Sequence, residues 1–246
     1  MVDVKVTNIV AVDLPDAWFQ CISKILDVGF KYVIQQGSFV GQTRLEFDQI
    51  TICIAHPYRE PYDLMLPEIP LYLNIPNPVE SGYIEQYLPY LMTGERKEDE
   101  DYTYGQRLTK FSDGKACIGH IGGVAQYSNV FGDQIKHFIH LLKKTPKTNQ
   151  AILQVAQPND CKLSDPPCLR HIDIRIKDGF LIFYPYFRSW DLWGGFPANL
   201  AAIAVLQKFM ADEIGVDVGP MIASSKGLHI YGYVEELAKL RTGKKV

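Results

Sequence analysis

Apolar residues in this chain recur with two different periods, and the switches between them outline its elements. Alternation in VKVTNIVAV (4–12) predicts an opening strand. In DAWFQCISKILDVG (16–29) the apolar positions fall three and four apart, which predicts a helix with Asp16 as its N-cap and Gly29 as its stop. RLEFDQITICIAHP (44–57) alternates again and is rich in branched residues, so one long strand is expected. Six prolines between Pro57 and Pro78 rule out regular structure there and predict an irregular loop or lid. ESGYIEQYLPYLMTG (80–94) returns to helical spacing, with Pro89 bending or interrupting it. The run ERKEDED from Glu95 to Asp101 predicts a solvated loop.

The second half is more sharply patterned. DQIKHFIHLLKKTP (133–146) predicts an amphipathic helix ended by Pro146. AILQVAQP (151–158) and HIDIRIKDGFLIFYPYF (171–187) follow, the latter a hairpin turning at Lys177-Asp178-Gly179, where Asp-Gly supplies positive φ. NLAAIAVLQKFMADEIG (199–215) is apolar nearly all round and stopped by Gly215, which predicts a buried central helix. The order of elements predicts a mixed α/β (α+β) fold, a large mixed sheet supporting that helix, in a single domain over 1–246.

Composition narrows the picture mainly by exclusion. With 246 residues, 47% hydrophobic and 22% charged, there is ample material for a core. A formal net charge of −3 gives no electrostatic case for binding a nucleic acid polymer or an acidic membrane. No charged leader precedes an apolar segment at the N-terminus, and no apolar run is long enough for a bilayer, so a cytoplasmic protein is expected. The five cysteines are odd in number and widely spaced, without a CxxC pair, which predicts neither a disulfide framework nor a metal site. No GxGxxG follows a strand, so a dinucleotide fold is not expected.

Chemistry-bearing residues gather between Pro166 and Tyr231. Pro166-Pro167-Cys168 presents a thiol, which attacks only as thiolate and needs a nearby cation to reach that form at neutral pH. Arg188 supplies one if the two residues meet across the hairpin. Ser189 and Asp191 follow it, suited to a phosphate oxygen and to ordering a base. Asn199 carries donor and acceptor together and so can pair with an amide-like base edge. His229 and Tyr231 lie two apart on a strand-like segment and point the same way.

Four segments, PPC, FRSWD, GFPANL and HIY, stand in the order and spacing of thymidylate synthases and their sister nucleotide hydroxymethylases. The chain resembles that family, and its wording is most similar to the archaeal branch. The resemblance runs from about Leu71 to Glu236 and is strongest from Asp133 onward. It implies a thymidylate synthase-like fold with a twisted sheet, paired sheet to sheet in a homodimer. It implies conversion of dUMP to dTMP with a methylene-carrying reduced pterin, either 5,10-methylene-tetrahydrofolate or methylene-tetrahydromethanopterin, as co-substrate. Cys168 would add to C6 of the pyrimidine, and Arg188 and Ser189 would hold the 5′-phosphate. His229 and Tyr231 would hold the deoxyribose hydroxyl, and Asp191 would order the rings. Asparagine at Asn199 goes with uracil in the family, where aspartate goes with cytosine. Counting from Ile69-Pro70-Leu71 assigns the family's catalytic glutamate to Glu85, whereas counting back from Leu91-Met92-Thr93-Gly94 arrives at Tyr87; the carboxylate favours Glu85. Tyr104-Gly105 resembles the family's Tyr-Gly pair, whose hydroxyl aids proton removal from C5.

Two departures qualify these expectations. Asn149 and Gln150 stand where the family keeps a pair of arginines that reach across the dimer interface to the phosphate, so Lys143, Lys144, Lys147 or Arg44 would have to compensate. The long segment that closes over the pterin is not seen after Tyr231, and the expectation is that the Pro57–Pro78 stretch replaces it or that the reaction stops at a hydroxymethyl product. A pyrimidine nucleotide hydroxymethylase and a nucleotide-binding relative without turnover therefore stand as alternatives.

Overall fold

The alternation in 44–57 slips by one residue part-way along. Phe47 is buried, but the next buried positions are Ile50, Ile52 and Ile54, so the inward face changes parity between them. The computed structural model shows two strands here rather than the single one expected, and they belong to different sheets. It describes residues 3–37, 39–98, 100–110 and 132–245, together with the backbone of 116–121 and 124–128. The side chain of Cys117 and all of Asp99 lie outside the described residues.

In chain order the elements are β1 (Val6–Ala11), α1 (Leu14–Val28), β2 (Phe30–Val33), β3 (Thr43–Glu46), β4 (Gln49–Ile54), α2 (Tyr83–Met92) and α3 (Tyr104–Thr109). They continue with β5 (Ala116–Ile121), β6 (Val124–Ser128), α4 (Gln134–Lys144), β7 (Ile152–Gln154), β8 (Leu169–Lys177) and β9 (Phe180–Phe187). The last are β10 (Trp190–Asp191), α5 (Gly195–Ile214), β11 (Asp217–Ser225), β12 (Leu228–Tyr231) and α6 (Glu235–Thr242). One mixed sheet has the order β1-β4-β11-β9-β8-β7, a second β10-β12-β3-β2, and β5 and β6 pair alone. This is the mixed α/β architecture that the periodicity predicts. The proline-rich stretch holds two short 3₁₀ turns, Tyr62–Met65 and Leu71–Leu73.

Local signals account for most boundaries. α1 is capped by Asp13, not Asp16: the Asp13 carboxylate accepts from Asp16 N at 3.0 Å, and Pro15 is tolerated in the first turn because its missing N–H would be unpaired there anyway. Asp16 instead accepts the N–H of Val12 at 2.9 Å. The β8/β9 hairpin turns on Asp178 and Gly179, both at positive φ, as a two-residue turn that matches strand twist requires. α5 begins four residues before Asn199, ends against Gly215 at φ 87°, and buries Phe196, Leu200, Ala201, Ile203, Leu206 and Met210 among others. It packs across β9, β10 and β11. Pro220 interrupts β11 at a register shift, where it has no N–H to offer the ladder. Gln207 of α5 bridges that gap, its amide donating to Leu181 O at 2.8 Å and Gly219 O at 3.0 Å.

The chain crosses between the first sheet and the second at three short links. β3 passes into β4 through Phe47-Asp48, β9 into β10 through Arg188-Ser189, and β11 into β12 through Lys226-Gly227. Close approach at this seam requires glycine at 227, because a Cβ there would stand 2.9 Å from Arg188 O. Backbone bonds stitch the crossing: Trp190 N to Gly227 O at 2.9 Å and Phe47 N to Leu228 O at 3.0 Å.

Candidate active site

The seam gathers the chemistry. Cys168 stands just before β8 and Arg188 just after β9, so hairpin pairing brings them together, Arg188 N donating to Cys168 O at 2.9 Å. The Arg188 guanidinium donates to Pro167 O at 3.2 Å, to Pro166 O, and to Asp165 Oδ1 at 3.2 Å. The two prolines thus present carbonyls that clamp the cation beside the thiol. Burial pushes the Cys168 thiol above its ordinary pKa; Arg188 opposes this most strongly, Asp165 reinforces it, and Arg170 and Arg44 oppose it further. The cation at Cys168 is therefore in place, but desolvation outweighs it.

Tyr104 approaches from α3, its hydroxyl accepting the N–H of Leu169, the residue after Cys168, at 3.2 Å. Its phenol is pushed well up by burial, as are those of Tyr87 and, to about 12, Tyr102, so all three stand as neutral hydroxyls near the thiol. Tyr87, Tyr90, Tyr102 and Tyr104, with Glu100 and Thr103, line a hollow of about 170 Å³. Asn199, one turn into α5, accepts from Trp190 Nε1 at 3.1 Å and donates to Tyr87 at 3.0 Å. Asp191 caps the start of α5, its carboxylate accepting from Trp193, Gly194 and Gly195 N at 3.2, 3.1 and 2.9 Å.

The second wall comes from β3 and β12. His229 is buried and its Nδ1 meets Gly227 O at 2.8 Å, so Nδ1 carries the proton and Nε2 is left as an acceptor with no partner among the described residues. Burial holds its pKa down at about 4, Arg44 adding to the effect while Gly227 O and Asp191 oppose it. A neutral ring makes no ion pair with Glu46, although the two are 3.7 Å apart. Arg44, paired with Tyr231 in the β3/β12 register, directs Nη1 to Glu46 at 3.3 Å and to Ser189 Oγ at 3.4 Å, while its buried Nε has no partner among the described residues. Burial raises the Glu46 carboxyl, with Tyr32 and Arg44 pulling it back. The Tyr231 ring stands edge-on to His229, its phenol raised to about 12 by burial.

The structure thus brings Cys168, Arg188, Ser189, Asp191, Asn199, His229, Tyr231 and Tyr104 to one seam. Glu85 is not among them: it is exposed on α2, and no hydrogen bond or ion pair joins it to Cys168 or Asn199 among the described residues. The helix turns Tyr87 inward instead, so the count that ends on Tyr87 is the one that reaches the site. Of the four candidate replacement cations, Arg44 reaches Ser189 within the chain, while Lys143, Lys144 and Lys147 are exposed together with Asn149 and Gln150. Sequence reasoning missed Glu46, Tyr32 and Trp190. The i, i+2 pair Arg44 and Glu46, opposite charges on one face of a short strand, was the available signal. Among the described residues, no group of His, Cys, Asp and Glu is placed to hold a metal ion, and no helix is long and apolar enough to cross a membrane.

Comparison with known proteins agrees in direction. The family model described as thymidylate synthase matches residues 89–244. A protein of Methanosarcina barkeri named "putative thymidylate synthase" is 31% identical over 92% of this chain and 92% of its own length. Proteins of the same name from Methanosarcina acetivorans and Methanococcoides burtonii are 28% and 30% identical, covering 93% and 89% of this chain and 93% and 87% of their own lengths.

Proposed function

The chain belongs to the thymidylate synthase family, and from that premise we propose that it methylates dUMP to dTMP through a covalent bond between Cys168 and C6 of the pyrimidine. The observation that carries the reading is the clamp at the hairpin mouth, with Arg188 fixed by Pro166 and Pro167 carbonyls beside Cys168. Cys168 Sγ adds to C6, and C5, made nucleophilic, bonds the one-carbon unit. C5 then gives up its proton as the carbon–nitrogen bond to the pterin breaks. The sulfur leaves, restoring the C5–C6 double bond, when a hydride reaches the exocyclic carbon. A nucleotide phosphate entering beside Arg188 meets an anion-stabilising cation, and the same cation favours thiolate in the transition state. Tyr104, neutral and bonded to the N–H of the residue after the nucleophile, carries the C5 proton out through its hydroxyl. Asn199 reads the base edge, and Asp191 keeps the α5 terminus against the rings.

The buried atoms without partners fit the rest of a nucleotide. His229 Nε2 is an acceptor suited to a sugar hydroxyl, which Tyr231 flanks. Arg44, joined to Ser189, takes over phosphate contact from the missing arginine pair. A reduced pterin supplies the one-carbon unit and the hydride that completes the methyl group. The tyrosine-lined hollow fits a flat heteroaromatic ring, and Tyr87 and Tyr104 belong both to it and to the base site. The exposed valines Val6 and Val10 on one face of β1 support a homodimer formed sheet to sheet. A single catalytic domain over 1–246, working in the cytoplasm, completes the proposal.

The test is turnover of dUMP with methylene-tetrahydrofolate and with methylene-tetrahydromethanopterin, read by product mass. The methyl product is expected with one of them, and Cys168→Ala should abolish both turnover and tritium release from C5. A product heavier by one oxygen atom would mark a hydroxymethylase, and turnover surviving in Cys168→Ala would sink the covalent mechanism.

A further inference from the structure

The side chain of Asn199 has four hydrogen-bonding positions, two N–H donors on Nδ2 and two lone pairs on Oδ1. The protein occupies one of each. Trp190 Nε1 donates to Oδ1 at 3.1 Å, and Nδ2 donates to the Tyr87 hydroxyl at 3.0 Å. An indole N–H can only donate, so only the oxygen of the amide can face it. Turning the amide over would set N–H against N–H in a half-buried place, where the indole N–H of buried Trp190 would lose its acceptor.

Trp190 cannot step aside to permit that turn. Its ring is buried, lies parallel to Phe187 with centroids 3.9 Å apart, and leans on Phe196 at 4.6 Å. Its backbone is held in the seam by the bond to Gly227 O. Tyr87 is a weaker constraint, because a hydroxyl both donates and accepts and would tolerate either face of the amide. Burial keeps that phenol neutral, so it remains a hydroxyl rather than an anion.

One donor and one acceptor of Asn199 are then left for a ligand, and their order is fixed by the fold. In that order the free N–H meets a ring carbonyl while Oδ1 accepts a ring N–H, which is the pattern of O4 and N3–H in uracil. Cytosine presents the reverse, an amino donor beside an unprotonated N3, and matches only the inverted amide. We propose that Trp190 and Tyr87 are specificity-determining positioning residues: they lock Asn199 in the orientation that accepts a uracil edge and rejects a cytosine edge, Trp190 setting the direction and Tyr87 supporting it. The inference rests on the reading of Asn199 as the base contact of a pyrimidine nucleotide site.

Calorimetric titration of the full chain with dUMP and with dCMP tests it. The unaltered protein is expected to prefer dUMP about 100-fold, within the discrimination that a bidentate edge contact supplies. In Trp190→Phe the preference should fall below about tenfold, chiefly because dCMP binds more tightly, an outcome that simple loss of packing would not produce. Tyr87→Phe keeps the ring, loses only the hydroxyl, and should narrow the preference about threefold. Full preference retained in Trp190→Phe would overturn the lock while leaving the nucleotide reading intact. If Trp190→Phe does not fold, Tyr87→Phe decides alone, and an unchanged preference there overturns the proposal. An unaltered protein that binds neither nucleotide would overturn the nucleotide reading itself, and the lock with it.

Discussion

The two walls of the seam are built on opposite principles. On the α5 side, polar groups are already matched: Asn199 with Trp190 and Tyr87, Asp191 with three backbone N–H groups, Tyr104 with Leu169 N. On the β3/β12 side, Arg44 Nε and His229 Nε2 are buried without partners among the described residues, and an acidic residue sits against the arginine. Buried polar groups left unmatched cost stability, so a protein keeps them where something else repays the cost. The difference teaches which wall the fold completes and which a ligand completes. The first wall defines the shape of the base site in advance, and the second gains most when a nucleotide arrives.

That contrast fails most visibly if Arg44 is merely structural. Arg44→Ala should lower kcat/KM for dUMP about 100-fold, the scale of lost charge-assisted bonds to phosphate. Binding of the nucleoside without phosphate should be nearly unchanged. Equal losses for nucleotide and nucleoside would move Arg44 to the wall that the fold completes.

His229 gives the next largest effect, through pH. Its native pKa lies near 4 and its unfolded value near 6.5, so the unfolded chain binds the extra proton first. The sign follows: stability is full above about pH 6.5 and falls as pH drops toward 4, by at most about 3 kcal/mol. Arg44, Asp191 and Glu46 surround the ring, and Arg44 pushes in the same direction as burial. Urea unfolding across this window should show a slope that flattens in His229→Gln. A saturating nucleotide should steepen it, since a hydroxyl bonded to Nε2 needs the neutral ring.

On the opposite wall the expected change is smaller and independent of ligand. Asp191→Ala frees three N–H groups at the start of α5. It should cost about 1–2 kcal/mol, a fall in Tm of about 2–8 °C for a domain of this size. The loss should be the same with and without dUMP present at low occupancy. A loss confined to the liganded protein would place Asp191 on the wall that the ligand completes.

This division also explains how far the chain could be read directly. The centre of the α5 wall is contiguous in sequence: Arg188 to Asn199 spans one strand end and one helix start, with spacing fixed by local geometry, and only its tyrosines come from α2 and α3. Its residues therefore stand out as a cluster. The other wall depends on β3 pairing with β12, residues nearly two hundred positions apart, and periodicity does not encode pairing between distant strands. The same blindness merged β3 with β4, because only the change of inward parity after Phe47 betrays the break. The choice between Glu85 and Tyr87 shows a different limit. Carboxylate chemistry favoured the first, but helix phase decides which residue faces α5, and it turned Tyr87 inward. Asp13 rather than Asp16 caps α1 because Pro15 fits the first turn, a rule that a search for the first capping residue before the apolar run passes over.

The smallest effect concerns the thiol where the two walls meet. Asp165 pairs with Arg188 at 3.2 Å and adds its negative charge to the burial that raises the Cys168 pKa. Its side chain is 65% exposed, so solvent and salt screen that charge and keep the effect modest. Asp165→Asn should lower the thiol pKa and speed alkylation of Cys168 by iodoacetamide about two- to threefold at neutral pH. Peptide mass spectrometry can follow the rate, with exposed Cys161 as an internal reference. Adding salt should shrink the difference between the two proteins. A slower rate in the variant would mean that Asp165 serves chiefly to steer Arg188 toward the thiol, making the guanidinium clamp depend on an exposed side chain as well as on the two proline carbonyls.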